Sequence, residues 1–122
     1  MTNFHGNIES LTTQNTNFRQ VLFTATNSQL VLMSLLPNEE IGMEVHQVDQ
    51  FFRFEQGEGQ VTIDGETFNV KNGDAVIVPA GAQHNVVNAS ASTELKLYTI
   101  YSPPQHSDGV IHRTKAEAVA AE

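Results

Sequence analysis

Apolar and polar positions alternate in short runs through the middle of this chain, and Gly, Asn and Pro separate the runs. Alternation with a period of two predicts half-buried strands, because successive side chains point to opposite faces. Arg19 to Thr24 and Gln29 to Leu36 read as the first two strands, separated by Thr26-Asn27-Ser28. The second is nearly continuous in apolar residues and reads as buried on both faces. Pro37 to Glu40 is a loop. Shorter strands follow at Met43 to His46, Gln50 to Glu55, Gln60 to Ile63, Thr67 to Val70, Ala75 to Val78, His84 to Asn88 and Glu94 to Tyr101. Asp64-Gly65 between two of them is a strong hairpin signal. Gln56 to Gly59, Asn72-Gly73 and Pro79 to Gly81 are further turns, and Ala89 to Thr93 is a loop.

The ends are different. Met1 to Asn17 is polar and rich in Asn and Thr, and is expected to form a loosely held arm with at most one short strand. Pro103-Pro104 ends the strand series. Thr114-Lys115-Ala116-Glu117 has the form of a capping box, with Thr114 as N-cap and Glu117 reaching back, so a short helix is predicted over Lys115 to Ala121. The expected division is an arm over 1–17, a β-barrel domain over 18–104 and a tail with a short helix over 105–122. Many short strands with Gly-rich turns in one domain predict an all-β sandwich or closed barrel.

Composition narrows the function. The chain has 122 residues, one domain's worth, with 39% hydrophobic and 16% charged residues. Its formal net charge is −8, with six Lys and Arg. A nucleic-acid partner needs a basic stripe to neutralise phosphates, and an anionic membrane surface needs the same, so both are excluded as expected partners. There are no cysteines, which removes disulfides, thiolate metal sites and Cys nucleophiles. The first residues lack the positive and apolar regions of a signal peptide, and the longest apolar run is far short of a membrane span. A cytoplasmic location is the expectation.

One segment carries a recognisable constellation. Gly73, Pro79, Gly81, His84 and Asn88 stand at the spacing G-x5-P-x-G-x2-H-x3-N. Gly73 closes a hairpin, Pro79 and Gly81 turn the chain, and His84 is aimed from the next strand into the interior. Upstream, Glu44, His46, Gln50 and Gly57 give E-x-H-x3-Q-x6-G. The first set resembles the second conserved motif of the cupin superfamily and matches it at every fixed position. The second resembles the first cupin motif, H-x-H-x3–4-E-x6-G, with Glu44 where the family has His and Gln50 where it has Glu. The resemblance covers roughly residues 42–88 and implies a cupin jelly-roll barrel. The chain is similar to small single-domain cupins, a group loosely termed mannose-6-phosphate isomerase-like.

The resemblance further implies one divalent metal ion (Mn, Fe, Ni, Co or Zn) held by Glu44, His46, Gln50 and His84. Two imidazoles and a carboxylate match the content of the facial triad of non-haem iron sites. Glu44 instead suits a general base, or a solvent-facing charge at a strand end. Gln50 instead suits a hydrogen-bonding residue that orients substrate or an imidazole. Phe52 and Tyr98 are the candidate pocket-lining residues for a small-molecule ligand, with Tyr101 a further hydroxyl on the same strand. Arg53 falls on the other face and is expected to pair with a surface carboxylate. No Lys or Arg falls obviously on the inner face, which argues against a sugar-phosphate substrate. His106 and His112 are expected to tie the tail over the barrel.

The expected function is therefore metal-dependent chemistry on a small organic molecule, of the oxygenase, isomerase or lyase type. A barrel that binds a small ligand without turnover is the alternative, and a structural dimer with a vestigial site is the third. Association as a homodimer is expected from the resemblance, with the apolar Val21 to Leu36 region as the surface.

Overall fold

A computed structural model describes residues 2–122. In chain order the elements are α1 (Ile8–Gln14), β1 (Arg19–Thr24), β2 (Gln29–Leu35), β3 (Glu44–Val45), β4 (Asp49–Gln56), β5 (Glu58–Ile63), β6 (Glu66–Lys71), β7 (Ala75–Val78), β8 (Gln83–Asn88), β9 (Leu95–Ser102), β10 (Ile111–His112) and α2 (Lys115–Ala120). The strands form two antiparallel sheets. The larger has six strands in the order β10-β1-β2-β9-β4-β7, and the smaller has four in the order β3-β8-β5-β6. Their facing sides enclose the core, as the strand pattern predicts. Among the described residues, no helix is long and apolar enough to cross a membrane.

Pairing register sorts the side chains of the larger sheet into rows. On the inner face, Val21, Val31, Thr99, Phe52 and Val76 lie side by side across five strands. A second inner row is polar: Gln29, Tyr101, Gln50 and Val78 are successive neighbours. Phe52, Phe54, Val31, Met33, Leu35, Val61, Val86, Leu95 and Leu97 are almost wholly buried between the sheets. On the outer face a row of apolar residues runs Phe23, Leu30, Ile100, Phe51, Ile77.

Turn chemistry sets the register. Asp64 and Gly65 both have positive φ, 46° and 84°, the conformation of the two-residue hairpin turn predicted between β5 and β6. Gly57 is required for closeness as well as for its φ of 94°: a Cβ there would meet the Glu94 carbonyl oxygen at 2.5 Å.

The polar arm differs from expectation. It contains a helix, α1, capped by the Asn7 side chain, which accepts from the Ser10 N–H at 2.9 Å. This helix lies against the outer face of the larger sheet, with Thr12 fully buried and Lys96 of β9 bonded to the carbonyl of its C-cap residue Asn15. The C-terminal helix forms where predicted. Thr114 Oγ1 accepts from Glu117 N–H at 3.2 Å, but the Glu117 carboxylate reaches the N–H of Arg113 (3.0 Å), one residue before the cap. Strand β10 is an addition, pairing Ile111 and His112 with the start of β1.

Candidate metal and ligand site

The site lies between the polar inner row and the edge of the smaller sheet. Glu44 on β3 stands opposite His84 on β8 in the antiparallel register, so both ends of the motif pair are adjacent. His46 follows β3, and its carbonyl accepts the N–H of Gly81 at 2.8 Å. Asp49 Oδ1 accepts from the N–H of Ala80 at 3.0 Å. These two bonds dock the turn that precedes His84 onto the segment that carries His46. Asn88, the last residue of the motif, is structural: its amide donates to the carbonyls of Leu35, Leu36 and Thr93 and its oxygen accepts from Ser90 N–H.

The two imidazoles face each other with ring centroids 5.4 Å apart. Rings bound to one tetrahedral ion through nitrogens at about 2.1 Å have centroids roughly 5 Å apart, so this spacing fits two ligands of a common ion. His84 is buried, and its Nδ1 lies 3.1 Å from the Ala82 carbonyl. A carbonyl only accepts, so Nδ1 carries the proton and the lone pair of the neutral ring is on Nε2.

Gln50 Oε1 is buried without a hydrogen-bond partner. His46 Nε2 lies 2.9 Å from Glu44 Oε2, a close imidazole–carboxylate pair. Burial alone would raise the Glu44 carboxyl pKa; the contact with His46, then the charges of His46, Arg19 and His84, outweigh it and hold the group below its ordinary value. Glu44 is therefore a carboxylate at neutral pH. Gln50 is 3% exposed, and its amide nitrogen donates to Thr99 Oγ1 at 3.1 Å, which turns its oxygen away from that bond.

Among the described residues, no group of three His, Cys, Asp or Glu side chains stands close enough together to hold a metal ion. The candidate donors are the His46–Glu44 pair, His84 across from it and the Gln50 amide oxygen. Their chemistry, two nitrogens, one carboxylate and one neutral oxygen, suits a divalent transition ion.

Around these donors the sequence expectations divide. Phe52 lines the floor, 1% exposed, with its ring centroid 6.3 Å from that of His84. Tyr98 does not reach the site. It is on the outer face of β9 beside Phe51, with centroids 6.2 Å apart. Tyr101, three residues on and so of opposite parity, is the inner tyrosine, edge-on to His46 at 5.8 Å. Burial pushes its hydroxyl far above the ordinary phenol range, more than the charge of Arg19 and the nearness of Gln50 offset, so it is a hydroxyl at any working pH. Arg53 is outside and pairs with Glu55 at 2.9 Å.

Two residues, Gln29 and Arg19, emerge that the sequence did not single out, and they meet the tail histidines His106 and His112 respectively. Gln29 is 1% exposed and uses its whole amide: Oε1 accepts from the N–H groups of Gln105 and His106, and Nε2 donates to Thr24 and to the His106 carbonyl. It fastens the tail segment against the polar row. His106 then meets the Tyr101 hydroxyl at 3.3 Å. His112 meets Arg19 Nη1 at 3.4 Å. Arg19, expected to be away from the interior, is on the inner face of β1 and 8% exposed. The period-two rule places it there with Val21, and no local signal marked it as buried.

This combination of jelly-roll sheets and motif-borne imidazoles defines a cupin. The cupin domain family (Cupin_2: Cupin domain) matches residues 31–101, and the chain belongs to that family. It is 50% identical over 123 residues to the uncharacterized protein YrkC of Bacillus subtilis, covering 95% of this chain and 66% of that one. It therefore spans slightly less than two thirds of that relative's length. It is 40% identical to the uncharacterized protein L612 of Acanthamoeba polyphaga mimivirus, over 86% of this chain and 68% of that protein. Among solved structures, BH2720 from Bacillus halodurans superposes with a TM-score of 0.93 at 43% identity, covering 96% and 93% of the two chains. An RmlC-like cupin from Shewanella frigidimarina shares the fold, with a TM-score of 0.67 at 24% identity over 72% of this chain and 77% of that one. None of these similarities selects the mannose-6-phosphate isomerase-like group.

Proposed function

We propose that this cupin binds one divalent metal ion through His46, His84, Glu44 and Gln50 and acts as a metal-dependent enzyme on a small organic molecule. The observation that carries the reading is the buried Gln50 Oε1, without a hydrogen-bond partner, in an interior that also holds two facing imidazoles and a carboxylate 2.9 Å from one of them. A buried polar atom left without a partner costs about 1–3 kcal/mol. An ion shared with the imidazoles would satisfy this oxygen.

A bound ion, held by these residues, would supply Lewis acidity toward a substrate oxygen. The protein's own groups do the rest. The Ala82 carbonyl keeps the His84 ring in one tautomer. With the ion held by the other three donors alone, Glu44, ionised and partly exposed beside them, would be the group placed to take a proton from a bound substrate. Phe52 supplies an apolar floor and Tyr101 a hydroxyl that stays protonated. The fold does not select among oxygenase, isomerase and lyase chemistry.

The test is elemental analysis of protein purified without a metal-binding tag, compared with His84→Ala. Near-stoichiometric Mn, Fe, Co, Ni or Zn in the wild type and its loss in the variant is the expected result. Little metal in the wild type after reloading overturns the reading, and a barrel that binds a small ligand without metal takes its place.

Pairing of two copies belongs to the same proposal. The outer apolar row ends at Ile77 on the edge strand β7, which is 66% exposed. A second copy laid on this row is expected to lower that exposure, and Ile77→Glu should shift the sedimentation coefficient from dimer to monomer.

A further inference from the structure

Among the described residues, Arg19 is a buried cation in no direct ion pair. It is 8% exposed, its Nε has no hydrogen-bond partner, and among the described residues it enters no salt bridge. Its side-chain contacts are a 3.4 Å approach to His112 Nδ1 and the ring of its neighbour Phe18, 5.3 Å from the guanidinium carbon. Glu44 is near enough to feel this charge but makes no direct bond with it, and a buried guanidinium whose N–H groups are not all bonded is costly, so the arrangement has room for a directly bonded anionic partner.

The surroundings say where that partner would sit. Arg19 lines a cleft of about 260 Å³ between β1, the segment leading into β3, and α2. Glu44 lines the same cleft, so one side chain of the metal-site set borders the space into which Arg19 faces. Gly42 and Met43 form one wall and Ala118 of α2 the other; Lys115 and Glu122 are also on the lining. A space of this size takes an acid of a few carbons, not a nucleotide or an oligosaccharide.

We propose that the ligand of this site is a small carboxylic acid and that Arg19 receives its carboxylate in a bidentate pair. The inference rests on the reading of the His46–His84 end as a ligand site, and it names the class of that ligand. The planar fork of Arg matches a carboxylate with two parallel N–H···O bonds. One end of the molecule pairs with Arg19 while the rest lies in the cleft that Glu44 borders. A dianion such as phosphate fits less well than a single carboxylate, because Glu44 and Glu122 face the same space as Arg19 and Lys115 and already offset their charge.

The experiment is calorimetric titration of the protein as purified with propionate, butyrate and inorganic phosphate, and with the uncharged amides propionamide and butyramide. At least one carboxylate should bind, and its amide and phosphate should bind about ten-fold to hundred-fold more weakly. Arg19→Gln should weaken the carboxylate to the level of its amide, and Arg19→Lys should recover part of the loss. Equal binding of acid and amide by the wild type overturns the proposal, as does absence of binding by any of these compounds. The wild-type comparison stands even where Arg19→Gln does not fold. Metal content measured separately keeps the two readings apart. Stoichiometric metal without carboxylate preference overturns only the role of Arg19. Carboxylate preference without metal overturns only the metal site.

Discussion

The backbone N–H of Gly81 donates to the carbonyl of His46 at 2.8 Å, so the two motifs that carry the imidazoles are joined directly through main chain. The bond depends on an uncommon conformation. Gly81 has a φ of 88°, and a Cβ there would meet nothing within 4 Å, so space is not what demands glycine. Backbone strain is. A side chain in this region costs about 1–2 kcal/mol, and the relief is a rotation that would swing the N–H away from His46. Gly81→Ala is therefore expected to lower the melting temperature by several degrees and to weaken metal binding more than an equally destabilising change elsewhere in the core. Parallel thermal denaturation and metal titration of Gly81→Ala and Val31→Ala would check this. Equal metal affinity in the two variants would remove the link between the turn and the ligands.

Gln50 offers a sharper test of the donor set. Its oxygen is buried and unpartnered while its nitrogen is bonded to Thr99. Gln50→Glu replaces a neutral donor by a charge at the same length. Without metal, a carboxylate beside the buried Tyr101 hydroxyl and near Glu44 is penalised by desolvation and like charge, so the metal-free variant should be less stable than wild type. With a divalent ion the sign reverses, because the added charge strengthens coordination. The expected outcome is a larger metal-induced rise in melting temperature for Gln50→Glu than for wild type. An identical rise in both would show that Gln50 orients a neighbour and does not ligate.

Much of this site was readable before the fold was known, for reasons that can be named. Period-two alternation put Gln50, Phe52 and Phe54 on one face of β4, and all three are buried there. The turn spacing from Gly73 to Asn88 fixed where His84 lies, because each glycine marks a backbone conformation that few other residues adopt. What escaped depended on partners far along the chain. Tyr101 and not Tyr98 is inside because β9 pairs Tyr101 with Gln50, and register is set between strands. Helix α1 has only Ile8 and Leu11 as large apolar residues, too few for a stripe, and Thr-rich polar sequence reads as loop. Its anchor, Lys96, is 81 residues away. Arg19 was legible as a charge but not as a buried one, since its burial comes from β10 and α2 closing over the end of β1.

Lys96 makes the helix an integral part of the barrel. It is 6% exposed on β9, and its ammonium is bonded to the Asn15 carbonyl, pairs with Glu94 at 3.1 Å and approaches Ser34 Oγ at 3.4 Å. Asn15 is the C-cap of α1, where unpaired carbonyls make a cation favourable. Lys96→Met keeps the stem and deletes the charge, leaving the Asn15 carbonyl buried without its donor. The expected cost is about 1–3 kcal/mol. Hydrogen exchange should localise the change: amides of residues 8–15 should exchange faster, while those of β8 keep their protection. Uniform loss across both would mean that Lys96 acts on the whole core and not on the helix.

His106 should give the protein its acid sensitivity at this end of the barrel. Burial pushes its imidazole pKa down, the charges of Arg19, His46 and His112 add to this while Glu44 opposes it, and the group ends at about 4. In the unfolded chain an imidazole titrates near its ordinary value, about 6.5. Between those two values the unfolded chain binds a proton that the folded one refuses, so stability must fall as pH is lowered. The contribution is fully present above about 6.5 and is lost progressively down to about 4. The structural cause of refusal is also its benefit: the neutral ring is held against the Tyr101 hydroxyl, at 3.3 Å, by a backbone that Gln29 fastens. His106→Gln keeps a polar group within reach of that hydroxyl and cannot take up the proton. Denaturant midpoints measured at intervals from pH 4 to 7.5 should fall more steeply with acid for the wild type than for His106→Gln. Parallel curves would mean that the acid sensitivity of the barrel comes from its carboxylates alone.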